Sequence, residues 1–136
     1  MFGCRIIVID NLSSLASKFD KDERRGIDLA MLELAELAQT LNTTIFLVCH
    51  VSKPAKDRTP FELGGMVYVT DARGSYGIAQ HCTYAIALER DKTAEGQMKN
   101  LTTVRVLEDR ETGDSDGKTF RLLYNHDGIL EEYHGK

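Results

Sequence analysis

The sequence predicts an α/β fold, with parallel strands and flanking helices first, then antiparallel strands and a C-terminal hairpin. Three observations predict it. Two continuous apolar runs, at residues 6–9 and 45–49, have the character of strands in a covered parallel sheet. Between them Ile27, Met31, Leu34, Ala38 and Leu41 recur at steps of four, three, four and three, which is one stripe of an amphipathic helix. The second half carries short strand patterns broken by Asp-Gly turns.

Each element has its own justification. The run Arg5-Ile6-Ile7-Val8-Ile9 stops at Asp10-Asn11. A carboxylate thus falls at the carboxyl end of a strand expected to be buried on both faces, and open α/β sheets bind ligands at that edge. A polar connection with Ser13, Ser14 and Ser17 follows. Asp20 or Asp22 caps the helix, Glu23 complements its positive end, and Asn42-Thr43 ends it. Thr44-Ile45-Phe46-Leu47-Val48-Cys49-His50 is the second strand, and right-handed crossover makes it parallel to the first. His50 therefore reaches the same sheet edge as Asp10.

Residues 51–70 break the pattern. Both prolines, Pro54 and Pro60, lie here with Lys53, Lys56, Arg58, Gly64 and Gly65. A loop of this length in a compact domain is functional or disordered. Asp71-Ala72-Arg73-Gly74-Ser75-Tyr76-Gly77-Ile78-Ala79-Gln80 reads as a turn into a short helix capped by Asp71. Its two glycines permit close backbone approach. A third apolar strand spans 84–88, a polar loop 93–100, and a fourth strand 101–107. Asp114 to Gly117 makes a hairpin turn and residues 119–124 return. Asn125-His126-Asp127-Gly128 turns into a short Ile129-Leu130 tail.

Bulk properties narrow the function classes. With 136 residues there is room for one domain, and 42% hydrophobic with 28% charged residues excludes a disordered chain. A net charge of −4 does not suggest a general nucleic-acid coat but leaves room for a local basic patch. Cys4, Cys49 and Cys82 form no CxxC pair, which fits a reducing compartment. No apolar run approaches the ~20 residues of a membrane span, and the first residues do not form a signal peptide. Entry into a central strand within six residues points to a fragment.

The polar groups at strand ends come in a specific order. Ile7-Val8-Ile9-Asp10, Val48-Cys49-His50, Asp71-Ala72-Arg73-Gly74-Ser75, Ala85-Ile86-Ala87-Leu88-Glu89-Arg90 and Asp109-Arg110-Glu111-Thr112-Gly113-Asp114 together resemble the motor domain of RecA-like hexameric replicative helicases. The nearest likeness is to the helicase–primases of phages, their mitochondrial relative Twinkle, and bacterial DnaB. It runs along nearly the whole chain. It implies that residues 1–136 are one partial domain, the later half of a RecA-like P-loop NTPase core beginning at the Walker B strand. The parent would be an ATP-dependent DNA helicase of 5′→3′ polarity, working as a homo-hexameric ring on single-stranded DNA. A primase domain or protein would be its partner, with no membrane involved. Its setting would be the cytoplasm of a bacterium or phage-infected host, ahead of the mitochondrial matrix.

The resemblance also assigns roles. Asp10 would hold Mg²⁺ beside ATP or another NTP. His50 would sense the γ-phosphate, and Gln80 would link the DNA loop to the nucleotide. Arg110 would be an arginine finger acting on the neighbouring subunit's nucleotide. Arg90 and Tyr124 would stack on the base. Lys53, Lys56, Arg58, Arg73, Gly74 and Ser75 would contact DNA phosphates. Residue chemistry alone leaves plainer alternatives: a turn aspartate, a satisfied strand-end histidine, an exposed helix glutamine, a solvated hairpin arginine and a core tyrosine.

Two departures qualify the likeness. Glu108 stands where the family often carries a lysine two residues before the finger, and would repel triphosphate unless paired with Arg110 or Arg105. No G-x-x-x-x-G-K-[ST] occurs, so the chain alone is expected neither to bind ATP tightly nor to hydrolyse it. Two rivals therefore stay open: another RecA-like ATPase (a recombinase or clock-type ring), and a non-catalytic binding or assembly module. A zinc or cysteine-nucleophile site built from Cys49-His50 and His81-Cys82 is disfavoured, because adjacent strand residues point to opposite faces.

Overall fold

The computed structural model describes residues 3–135, with the Ser75 side chain outside the described set. The chain forms two compact units. One holds the residues up to Ser52 together with Ala72–Cys82; the other holds Lys53–Asp71 and the residues from Thr83 on.

The first unit is α/β. Strands β1 (Ile6–Asp10) and β2 (Thr44–Val48) pair in parallel, with Ile6 opposite Thr44 and Asp10 opposite Val48. They are joined through α1 (Leu12–Ala16) and α2 (Glu23–Leu41), and α3 (Ser75–His81) completes the unit. Asp22 caps α2 by accepting the Arg25 N–H at 2.9 Å. Asn42 ends it in the left-handed region, which asparagine tolerates. Leu12, Ala16, Ile27, Ala30, Met31 and Ile78 form the core, with Leu47 and Cys49 of the β2 run packed on it. Leu12 and Ile27 are the largest fully buried side chains, each contributing about 1.5–3 kcal/mol.

The second unit is antiparallel. Strands β3 (Tyr84–Glu89), β4 (Leu101–Asp109), β5 (Thr119–Tyr124) and β6 (Leu130–Glu132) form one sheet in that order. The 53–71 segment joins this unit through a Leu63–Asp91 bridge and the Lys92 N–H donating to the Glu62 carbonyl at 2.9 Å.

Four expectations are corrected. The first strand is not buried on both faces: Ile6 and Val8 are 61% and 68% exposed, and Phe46 and Val48 of β2 are exposed beside them. The described helices pack against one face only, so burial alternates along both strands. The polar connection after Asp10 contains α1, because Asn11 caps it and its Leu12 and Ala16 reach the core. Asp71 does not cap the short helix. Gly74 occupies that position, and the Asp71 carboxylate binds Arg58 instead. The Ile129-Leu130 tail continues into a strand, β6.

Candidate nucleotide and nucleic-acid site

In the first unit, β1 and β2 deliver Asp10 and His50 to one sheet edge. Both are exposed. Asn11 ties the two strand ends together. Its Oδ1 accepts the Ser14 N–H at 3.0 Å, as an N-cap should, which turns its amide nitrogen toward His50. That nitrogen lies 3.0 Å from His50 Nε2. An amide NH₂ can only donate, so Nε2 accepts and the ring proton sits on Nδ1. His50 thus presents an N–H at the strand end in a fixed orientation.

The Arg73 turn is stitched to the same edge. The Arg73 N–H donates to the His50 carbonyl at 3.1 Å, and Val51 and Ala72 form an antiparallel bridge. The Arg73 guanidinium lies 4.0 Å from Glu23, both more than half exposed. Such a surface contact is worth about 0–1 kcal/mol. Gly74 has φ 74°, and a Cβ there would lie 2.5 Å from Cγ2 of Ile27. The close approach expected of this turn is therefore to α2. Gln80 is exposed on the last turn of α3, an element packed on α2. The Ser75 side chain lies outside the described residues. Burial pushes the Cys49 thiol up from its ordinary value, the behaviour of a core cysteine.

In the second unit, Arg110 follows β4 in a tight turn. Buried Asp109 organises that turn. Its carboxylate accepts the backbone N–H groups of Glu111, Thr112 and Ser115 and both hydroxyls of Thr112 and Ser115. These donors, led by the Ser115 hydroxyl, hold its pKa well below the usual carboxylate range. Glu108 lies 3.7 Å from Arg110, while Arg105 makes a two-pronged pair with buried Glu89 at 2.9 and 3.1 Å. Of the two partners expected for Glu108, the structure provides Arg110.

Arg90 and Tyr124 share the other end of the same sheet. Strands β3 and β5 run in the same direction on either side of β4, and both end where β4 begins. Arg90 donates there to the Lys99 carbonyl and the Asn100 side chain. Strand β4 has nine residues, so Arg110 and the Arg90–Tyr124 end are separated by roughly 27 Å of strand.

The three loop cations differ. Lys53 and Lys56 are exposed. The Arg58 side chain is 28% exposed and binds Asp71 through both terminal nitrogens, at 2.7 and 3.0 Å. Nothing local in the sequence marks Asp109 or Glu89 as organising residues. For Asn11 a signal was present, the spacing to Ser14 in an Asn-Leu-Ser-Ser cap pattern.

No protein-family model matches the chain. The chain is 39% identical, over 131 residues, to a DNA helicase/primase of Enterobacteria phage T3. The similarity covers 95% of this chain and 22% of the relative. The chain thus spans about a fifth of that protein's length. Among the described residues no helix is long and apolar enough to cross a membrane, and no three His, Cys, Asp or Glu side chains gather as a metal cage.

Proposed function

We propose that the chain is the later half of an ATP-dependent replicative DNA helicase motor that moves on single-stranded DNA. The observation that carries this reading is the Asp10–Asn11–His50 edge: a carboxylate and an oriented imidazole leave neighbouring parallel strands side by side. The similarity to a phage helicase/primase supports it.

Mg²⁺ fits Asp10. This ion commonly takes one or two protein carboxylates, completing its shell with phosphate oxygens and water. A single exposed strand-end carboxylate, without a cage of acidic neighbours among the described residues, matches that share. When bound with a nucleotide, the metal supplies charge neutralisation at the β- and γ-phosphates. His50, its Nε2 held by Asn11, offers its Nδ1–H to a phosphate oxygen. Gln80 links this edge to the DNA-contacting turn. The 136 residues hold no phosphate-cradling G-x-x-x-x-G-K-[ST] loop, so on this reading the chain by itself does not hydrolyse ATP.

Lys53, Lys56 and Arg73, with the Gly74 amide and Ser75, contact backbone phosphates, a sequence-independent mode suited to translocation. Arg90 and Tyr124 stack on the nucleotide base. Arg110 acts on a different nucleotide, that of the neighbouring subunit in a homo-hexameric ring. The separation of Arg110 from the Arg90–Tyr124 end supports this division, because one bound nucleotide would have to span β4 to meet both. Glu108, paired with Arg110, does not stand as an uncompensated charge beside triphosphate.

The test is Asp10→Asn in the full-length protein that carries this segment. Hydrolysis should fall by about a thousandfold or more, with single-strand binding in the absence of nucleotide retained. Hydrolysis at an undiminished rate would overturn the assignment.

A further inference from the structure

Arg58 lies among the loop cations in sequence but is held differently in space. Its two terminal nitrogens grip the Asp71 carboxylate, and one also donates to the Met66 carbonyl at 2.6 Å. The guanidinium carbon sits 4.6 Å from the Tyr68 ring centre and 5.7 Å from that of Phe61. Asp71, 10% exposed at its side chain, also accepts the Tyr68 N–H at 2.8 Å. One ion pair thus clamps three points of the segment: residue 58, the 66–68 stretch and residue 71. A second pair anchors the same stretch to the sheet, since Glu89, bound to Arg105, accepts the Val67 N–H at 2.9 Å.

The clamp reaches the lysines through the backbone. The Arg58 N–H donates to the Ala55 carbonyl at 3.0 Å, closing the turn that contains Lys56. A two-pronged Arg–carboxylate pair fixes direction as well as distance, unlike a lysine contact. The hydrogen bond to Asp71 raises the Arg58 pKa, and the same bond lowers that of Asp71, so both stay charged through the neutral range.

We propose that the Arg58–Asp71 pair is an internal latch that sets the shape of the cationic loop. Arg58 is a positioning residue, and Lys53 and Lys56 make the phosphate contacts. The inference rests on the single-stranded DNA reading above for its functional consequence, and on the loop geometry for the latch itself.

The experiment measures oligothymidylate binding by the full-length protein across a salt series, with amide hydrogen exchange on the same variants. Asp71→Asn is the informative change, because it keeps shape and removes a negative charge. A latch makes this variant bind about tenfold more weakly or worse, as a hydrogen-bonded charge pair is broken. A phosphate-contacting Arg58 makes it bind equally or more tightly, because repulsion falls and the guanidinium is released. Where the paired lysine variant below lowers the salt slope, tighter or unchanged binding overturns the latch. Hydrogen exchange guards against general unfolding: Asp71→Asn should speed exchange at Val67 and Tyr68 while the amides around Ile27 keep their protection. Unchanged protection at Tyr68 also overturns the latch. Lys53→Ala with Lys56→Ala tests the reading beneath it and should lower the salt slope by roughly 1.4, at about 0.7 per phosphate on a single strand. If that slope does not move, the DNA reading fails, and Tyr68 exchange in Asp71→Asn still decides the latch by itself.

Discussion

Asn11 and His50 are joined by a 3.0 Å contact between the asparagine amide nitrogen and imidazole Nε2, across 39 residues of sequence. The same asparagine caps α1 through its oxygen. One side chain therefore starts a helix with one end and fixes a histidine tautomer with the other.

Replacing Asn11 separates those two tasks. Asn11→Asp keeps an oxygen for the cap but removes the donor, so stability should change by less than about 0.5 kcal/mol relative to the cap itself. The His50 ring should then carry its proton on Nε2, facing the new carboxylate. Asn11→Ala loses both tasks and should cost about 1 kcal/mol. Nitrogen-15 shifts of the imidazole read the tautomer, and urea unfolding reads the stability. An unchanged Nδ1–H form in Asn11→Asp would remove the orienting role.

Gly74 is fixed by backbone and by space. Its φ of 74° strains any residue with a Cβ, and that Cβ would press on Ile27 in the core of the first unit. Gly74→Ala should destabilise by roughly 2–5 kcal/mol, the sum of left-handed strain and overpacking. Urea unfolding measures it, and a loss below about 0.5 kcal/mol would show that the turn rearranges freely.

The Arg110 turn should respond to pH at both extremes. The folded pKa of Asp109 is depressed, so its contribution is present above the unfolded carboxylate value of about 3.9 and is lost as pH falls through the folded one. Tyr84 donates to Glu111 at 2.7 Å, and that bond, with burial and nearby carboxylates adding to it, pushes its pKa up to about 12. This contribution is present below the unfolded value near 10 and is lost as pH rises through about 12. Phenolate absorbance of the chain minus that of Tyr84→Phe should titrate near 12. Asp109→Asn should expose the Thr112 and Ser115 amides to rapid exchange at neutral pH.

Local signals made much of the fold legible. Apolar runs gave both parallel strands and their shared edge, and periodicity with Asp22 and Asn42 gave α2 and its ends. Strand β5 matches the return strand read between its two flanking turns. What stayed hidden depends on partners distant in sequence. Asp71 reads as a helix cap until Arg58, 13 residues earlier, is seen to hold it. Glu89 reads as a strand-end charge until Arg105 covers it. Helix α1 has five residues, too few to show a period among its serines. The two-sided burial read into β1 came from its unbroken apolar run, whereas the described residues cover one face.

The proposed motor shares its nucleotide site between subunits, with Asp10 on one side and Arg110 on the other. Mixed rings of the full-length protein test it most directly. Rings made only of Asp10→Asn, or only of Arg110→Ala, should have lost DNA-stimulated hydrolysis, the finger alone being worth about a thousandfold or more. Mixing the two variants should restore part of it, because some interfaces regain an intact Asp10 facing an intact Arg110. Full hydrolysis by homogeneous Arg110→Ala rings, or no recovery in mixed rings that are shown to assemble, would refute a shared site built from these two residues.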